Sequence, residues 1–181
     1  SLWIERQYPP IGQFIEVNGL RLHYVEQGSG PGPAILLVHG ASSNLREFTS
    51  SIMPELAKDH RVIAFDRPGY GYSERSEGEW LDPAGIASLL LDACTKLGIE
   101  KPLIVGHSWS GSVVMSALVK MPQRISGGVL LAGVAGHWAG SIGWTYDVGS
   151  LPVIGRLFAW TAVVPAGQVM LERAVAPVSI G

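Results

Sequence analysis

The sequence predicts an α/β architecture, a mostly parallel sheet with flanking helices, and three observations carry that expectation. Short, largely apolar runs recur over 34–38, 61–65, 102–105 and 128–132. Runs of this kind mark strands covered on both faces. Between them lie segments with helical spacing over 47–58, 82–97 and 109–120, and strands alternating with helices pack as parallel strands joined by helical crossovers.

Each element has its own signal. Phe14, Ile15 and Val17 precede Asn18-Gly19, a pair that favours a tight two-residue turn, and Leu22, Tyr24 and Val25 follow it, so 13–17 and 21–26 read as a hairpin. The stretch Gly28-Ser29-Gly30-Pro31-Gly32-Pro33 interrupts regular structure before the strand at 34–38. Phe48, Ile52, Leu56 and Ala57 give 47–58 an apolar helical face, and Asp82-Pro83 supplies a cap and a first-turn proline for 82–97. Pro122 closes the helix over 109–120. Beyond Gly133 the texture changes. Trp138, Trp144, Tyr146, Phe158 and Trp160 are interspersed with glycines and with Pro152, Pro165 and Pro177, and no compact strand continues the sheet. Residues 1–136 therefore read as the N-terminal part of a core, and 137–181 as short helices outside the sheet.

Composition narrows the function classes. Apolar residues make up 47% and charged residues 15%, a balance suited to a packed interior and not to a solvated tail. Thirteen Lys and Arg against fifteen Asp and Glu leave a formal charge of −2 without a basic stripe, so nucleic acid is not an expected partner. Cys94 has no second cysteine to pair with, and its place between Leu91 and Leu97 fits an inert thiol on a buried helix face. No run reaches the roughly 18 apolar residues of a spanning helix, and Glu5, Arg6, Pro9 and Pro10 interrupt the start where a signal peptide needs an apolar stretch. A soluble protein is expected, with a membrane not among its partners. The compartment stays open between the cytoplasm and, if a segment ahead of Ser1 has been removed, the periplasm.

The strongest chemical signal is Val105-Gly106-His107-Ser108-Trp109-Ser110-Gly111. A serine lifted above a sheet on a sharp strand-to-helix turn adopts strained backbone angles. The residues two before and two after it must be small so that strand and helix can approach. Gly106 and Ser110 meet that need, with His107 beside them, and Ser108 becomes the candidate nucleophile. His39-Gly40-Ala41-Ser42-Ser43 follows the first central strand, where a loop would donate a backbone N–H to an oxyanion. The Ala41 and Trp109 amides are the candidate donors, and removing a donor of this sort typically costs about 100- to 1000-fold in rate. His39 is read as orienting the loop with Gly40 and taking no proton.

These motifs resemble the α/β-hydrolase family over about Gly12 to Val134. The loop His39-Gly40-Ala41, the segment Phe65-Asp66-Arg67-Pro68-Gly69-Tyr70-Gly71-Tyr72-Ser73 and the elbow Gly106-His107-Ser108-Trp109-Ser110 stand in family order. The resemblance implies an α/β-hydrolase core, here incomplete, followed by the start of a helical lid whose aromatics line an apolar pocket. It also implies a structural role for Asp66, because the family's catalytic acid follows the nucleophile. Ser110 departs mildly from the commoner glycine. A second departure is larger. The family's triad runs Ser, then Asp or Glu, then His, and after Ser108 only His137, Asp147 and Glu172 are available, all in or beside the lid-like segment. His137 fits a lid hinge better than a general base. The resemblance thus implies a serine hydrolase that cleaves an ester or related acyl bond of a small, largely apolar substrate through an acyl-enzyme on Ser108. It implies no cofactor and no metal. The acid and histidine are expected from a C-terminal part, present as a second chain. Alternatives are a carbon–carbon bond hydrolase or perhydrolase of the same fold, and a non-catalytic ligand-binding protein. Epoxide and haloalkane hydrolysis are disfavoured, because those relatives carry Asp where Ser108 stands.

Overall fold

Asn18 and Gly19 both hold positive φ, 51° and 79°, the backbone that a two-residue turn between twisted antiparallel strands requires. In the computed structural model, which describes residues 6–76 and 81–134, this turn joins β1 (Gln13–Val17) to β2 (Leu20–Gln27). Four further strands follow: β3 (Gly32–Val38), β4 (His60–Phe65), β5 (Leu103–His107) and β6 (Gly127–Leu131). They form one sheet in the order β1-β2-β4-β3-β5-β6. The hairpin joins β4 antiparallel, whereas β4, β3, β5 and β6 run parallel to one another. The sheet is mostly parallel, as the apolar runs predict, with its antiparallel part confined to the hairpin edge.

Helices α1 (Arg46–Thr49), α2 (Met53–Leu56), α3 (Pro83–Lys96) and α4 (Gly111–Lys120) flank the sheet. For α3 the cap is as the sequence predicts: the Asp82 carboxylate accepts from the Gly85 amide at 2.6 Å, with Pro83 in the first turn. The helix expected over 47–58 is corrected to two single-turn helices. Pro54 has no N–H with which to continue a ladder. Ser51 Oγ also bonds back to the Glu47 carbonyl at 2.6 Å, competing for the first helix's acceptors. Strand β3 begins at Gly32, ahead of the expected 34, because Gly32 already pairs with His60 before a register shift at Ile35. The helix expected from 109 begins at Gly111, after a tight 3₁₀ turn over Ser108–Ser110. The lid-like segment 137–181 lies outside the described residues, and with it His137, Asp147 and Glu172.

Alternation along the central strands fills both faces. Leu36, Val38, Ile63, Phe65 and Ile104 point into one buried cluster with α3 and α4, including Leu90, Val113 and Val114. Ile35, Leu37, Val62, Ala64 and Val105 point into the other, against Leu45, Phe48 and Met53. Each side chain of this size removed from water contributes about 1.5–3 kcal/mol before entropy is counted. Cys94 is buried in the first cluster, and burial pushes its thiol up to about 12. On β6, at the edge of the described sheet, Val129 and Leu130 by contrast stay 38% exposed, one on each face.

Candidate active site

Strand order brings the motifs together. In the sheet β3 lies between β4 and β5, with Val38 level with Phe65 on one side and with Gly106 on the other. Three loops therefore leave the same sheet edge side by side: His39-Gly40-Ala41 from β3, Asp66-Arg67 from β4, and Ser108 with Trp109 from β5. Ser108 has φ 50°, the left-handed conformation that costs a residue with a Cβ roughly 1–2 kcal/mol. The small neighbours are required by contact. A Cβ on Gly106 would stand 2.4 Å from the Ser110 carbonyl oxygen and 2.6 Å from Val114 Cγ2. One on Gly40 would stand 3.3 Å from Ser108 Cβ, so the β3 loop abuts the elbow. The turn after β6 closes over the same place, its Val134 amide donating to the Ser108 carbonyl at 2.9 Å.

The loop at His39 is tied on every side. Its imidazole is wholly buried; Nε2 accepts the Arg67 backbone amide at 2.9 Å, which leaves the proton on Nδ1 to be donated to the Gly40 carbonyl at 3.0 Å. Burial, and then the neighbouring Arg67 charge, push this imidazole down to about 4. Both nitrogens are committed and the ring is neutral at pH 7, the geometry of an orienting residue. Ser110, also fully buried, donates its hydroxyl to the His39 carbonyl at 2.5 Å. The residue that departs from the family's glycine thus stitches the elbow to the β3 loop.

Two charged residues that the motifs did not single out complete the arrangement. The Arg67 side chain is 2% exposed, donates from Nη2 to the Gly40 carbonyl at 2.8 Å, and lies over the rings of Tyr70 at 4.2 Å and Trp109 at 4.5 Å. Glu47 accepts the Gly40 amide through Oε2 at 3.3 Å, while its Oε1 stands 2.5 Å from His107 Nδ1, at ion-pair distance but outside hydrogen-bond geometry. Arg67 could have been noticed as the residue leaving β4 beside Asp66. Glu47 carried no signal, because its position on the split helix was obscured.

Asp66 sits beneath the loops at 1% exposure and accepts from His23 Nδ1 at 2.8 Å, the Leu45 amide at 2.8 Å and the Tyr72 amide at 2.9 Å. Burial alone would raise its carboxyl, but these donors outweigh it and the net shift is downward. Its partner His23 accepts the Gly12 amide on Nε2 at 3.3 Å. This carboxylate therefore organises backbone. Among the described residues no hydrogen bond joins Ser108 Oγ to a histidine, and no group of His, Cys, Asp and Glu could hold a metal ion. None of the described helices is long and apolar enough to cross a membrane.

The alpha/beta hydrolase fold profile matches residues 33–149. The chain belongs to that family. It is 32% identical over 179 residues to an uncharacterized protein of Mycobacterium tuberculosis (strain ATCC 25618 / H37Rv), a match that spans 96% of this chain and 51% of that protein. It is 36% identical over 138 residues to 2-hydroxymuconate semialdehyde hydrolase of Pseudomonas sp. (strain CF600), covering 70% of this chain and 46% of the relative. Among solved structures, epoxide hydrolase A from Mycobacterium thermoresistibile superposes with a TM-score of 0.61 at 31% identity, covering 67% of this chain and 38% of that one. The chain spans about half the length of the curated relatives it matches.

Proposed function

We propose that this chain carries the nucleophile half of a serine hydrolase that cleaves an ester or related acyl bond of a small, largely apolar substrate. The observation that carries the reading is Ser108 itself, held at φ 50° between a buried strand and a helix, with the Gly40-Ala41 loop against it. Ser108 Oγ attacks the acyl carbon. The amides of Ala41 and Trp109 hold the oxyanion, and the hydroxyl proton passes to a histidine that then protonates the leaving group. His39 is not that base: its Nε2 is occupied by the Arg67 amide. The base and its acid come from the C-terminal part of the protein, as a second chain or as further sequence. Water releases the acyl group through the same histidine, with no cofactor or metal.

In the full-length protein, Ser108→Ala should abolish turnover of a p-nitrophenyl ester, and a fluorophosphonate label should map by peptide sequencing to Ser108. Labelling at Ser42, Ser43, Ser110 or Ser112, or retention of most activity, would reject the assignment. A second reading, carbon–carbon bond hydrolysis, is favoured by the 36% identity to the relative named 2-hydroxymuconate semialdehyde hydrolase. It keeps Ser108 at the centre. Turnover of that semialdehyde, with esters inert and activity lost in Ser108→Ala, would select it. The hydrolase A likeness does not favour epoxide opening here, because Ser108 stands where the family's epoxide hydrolases carry Asp.

A further inference from the structure

The peptide unit that joins Gly40 to Ala41 has two ends, and the structure places a buried cation on one of them. A trans peptide directs its C=O and N–H in opposite directions. The Gly40 carbonyl accepts Arg67 Nη2 at 2.8 Å and His39 Nδ1 at 3.0 Å. The Ala41 N–H is the other end of the same unit, and it has no partner among the described residues. Donation to a carbonyl by a charged group draws electron density across the amide and strengthens the opposite N–H as a donor, more so away from water. The same guanidinium lies over the indole of Trp109, the residue whose amide is the second oxyanion donor in the reading above.

We propose that Arg67 is a positioning and polarising residue for the oxyanion hole, acting through the Gly40–Ala41 peptide and the Trp109 ring without touching substrate. This inference rests on the assignment of the Ala41 amide as an oxyanion donor. The guanidinium makes no salt bridge among the described residues: it donates to a carbonyl and lies over two aromatic faces, with the Tyr70 side chain and the Glu47 carboxylate favouring its charge. Glu47, which holds the Gly40 amide, is near enough to favour this charge without pairing with it, and the guanidinium stays directed at the Gly40 carbonyl. Burial lowers its pKa, yet a guanidinium remains protonated throughout the working range. His39 contributes a neutral second bond to the same carbonyl, so loss of Arg67 weakens the polarisation without leaving the carbonyl bare.

The test uses the full-length protein and three substitutions. Arg67→Met removes charge and donor, Arg67→Gln keeps a neutral donor, and Arg67→Lys keeps the charge. Deleting an oxyanion donor outright typically costs about 100- to 1000-fold. An indirect loss should be smaller, on the order of 10-fold in kcat for Arg67→Met with KM within about 2-fold. Arg67→Gln should fall between Met and Lys, with Lys closest to wild type. The independent readout is the Ala41 amide proton in an NMR spectrum of the resting enzyme, expected to move upfield in Arg67→Gln and Arg67→Met. Should Arg67→Met fail to fold, Arg67→Gln decides alone. Wild-type kcat with an unmoved Ala41 resonance in Arg67→Gln overturns the proposal. A fall in KM-limited binding with kcat preserved overturns it as well. If the enzyme is inert toward esters but the Ala41 resonance still responds to Arg67, the substrate reading fails and the polarisation stands.

Discussion

Replacing Ser108 with glycine separates the strain of the elbow from the chemistry of its hydroxyl. At φ 50° a residue with a Cβ is strained by roughly 1–2 kcal/mol, and glycine adopts the same angles without that penalty. Glycine also loses more backbone freedom on folding, which offsets about 0.5–1 kcal/mol of the relief. The net expectation for Ser108→Gly is a gain of about 0.5–1 kcal/mol, or about 1–4 °C in Tm for a domain of 150–250 residues. Ser108→Ala keeps the Cβ and hence the strain, so it should stay within about 0.5 kcal/mol of wild type. Urea denaturation of the full-length protein followed by tryptophan fluorescence, with m held common, gives the comparison, and ester turnover is measured on the same samples. Both variants should be inactive, and only Ser108→Gly should be more stable. If glycine proves no more stable than alanine, the elbow is not strained in solution and the argument from φ fails.

Three other measurements test the support around the serine. Ser110→Ala removes the 2.5 Å bond to the buried His39 carbonyl and should destabilise by about 1–3 kcal/mol in urea titration; an effect under about 0.3 kcal/mol would show that the stitch is not formed. Gly106→Ala places a methyl 2.4 Å from a backbone oxygen, so the helix must move; a loss of about 1–3 kcal/mol together with slower fluorophosphonate labelling is expected, and unaltered labelling would contradict the close crossing. His39 should remain unprotonated in NMR titration down to about pH 4. Because its folded pKa lies below the ordinary 6.5, the unfolded chain binds more protons between about pH 4 and 6.5. Stability from this group is complete above that window and is lost as pH falls through it, on the order of 3 kcal/mol in all. A His39 resonance titrating near 6.5 would refute the buried, doubly bonded imidazole.

Most of the architecture was legible because it depends on period and punctuation. Asn18-Gly19 announces its turn, Asp82-Pro83 its helix start, and the apolar runs of β3, β4 and β5 their burial on both faces. The reading went astray where a local rule competed with periodicity. Phe48, Ile52 and Leu56 do have helical spacing, but Pro54 and the hydroxyl of Ser51 break the ladder between them. For the site, residues fixed by backbone geometry were visible, since Gly106 and Ser110 answer a steric need that spacing expresses. Residues fixed by long-range contact were not. Arg67 reaches Gly40 across 27 positions, and the His23 to Asp66 bond spans 43. No pattern in one sequence marks such partners, because nothing local requires them.

The serine at position 110 illustrates how a departure from a family pattern can be compensated chemically. Glycine there would satisfy the crossing of strand and helix on size alone, and serine does so while adding a donor. That donor is aimed at the peptide preceding Gly40, so each group along the β3 loop is held by a different element: the His39 carbonyl by the elbow, the Gly40 amide by Glu47 on α1, and the Gly40 carbonyl by Arg67 after β4. Three separate elements, two of them 27 and 71 positions away, thus fix one short loop, and a loop so fixed presents its remaining amide, that of Ala41, in a single orientation. Electrostatic stabilisation of a transition state depends on donors that need no reorganisation when charge develops. In the proposed reading, with the Ala41 amide as an oxyanion donor, a loop bonded on three sides meets that requirement through Ser110, Glu47 and Arg67.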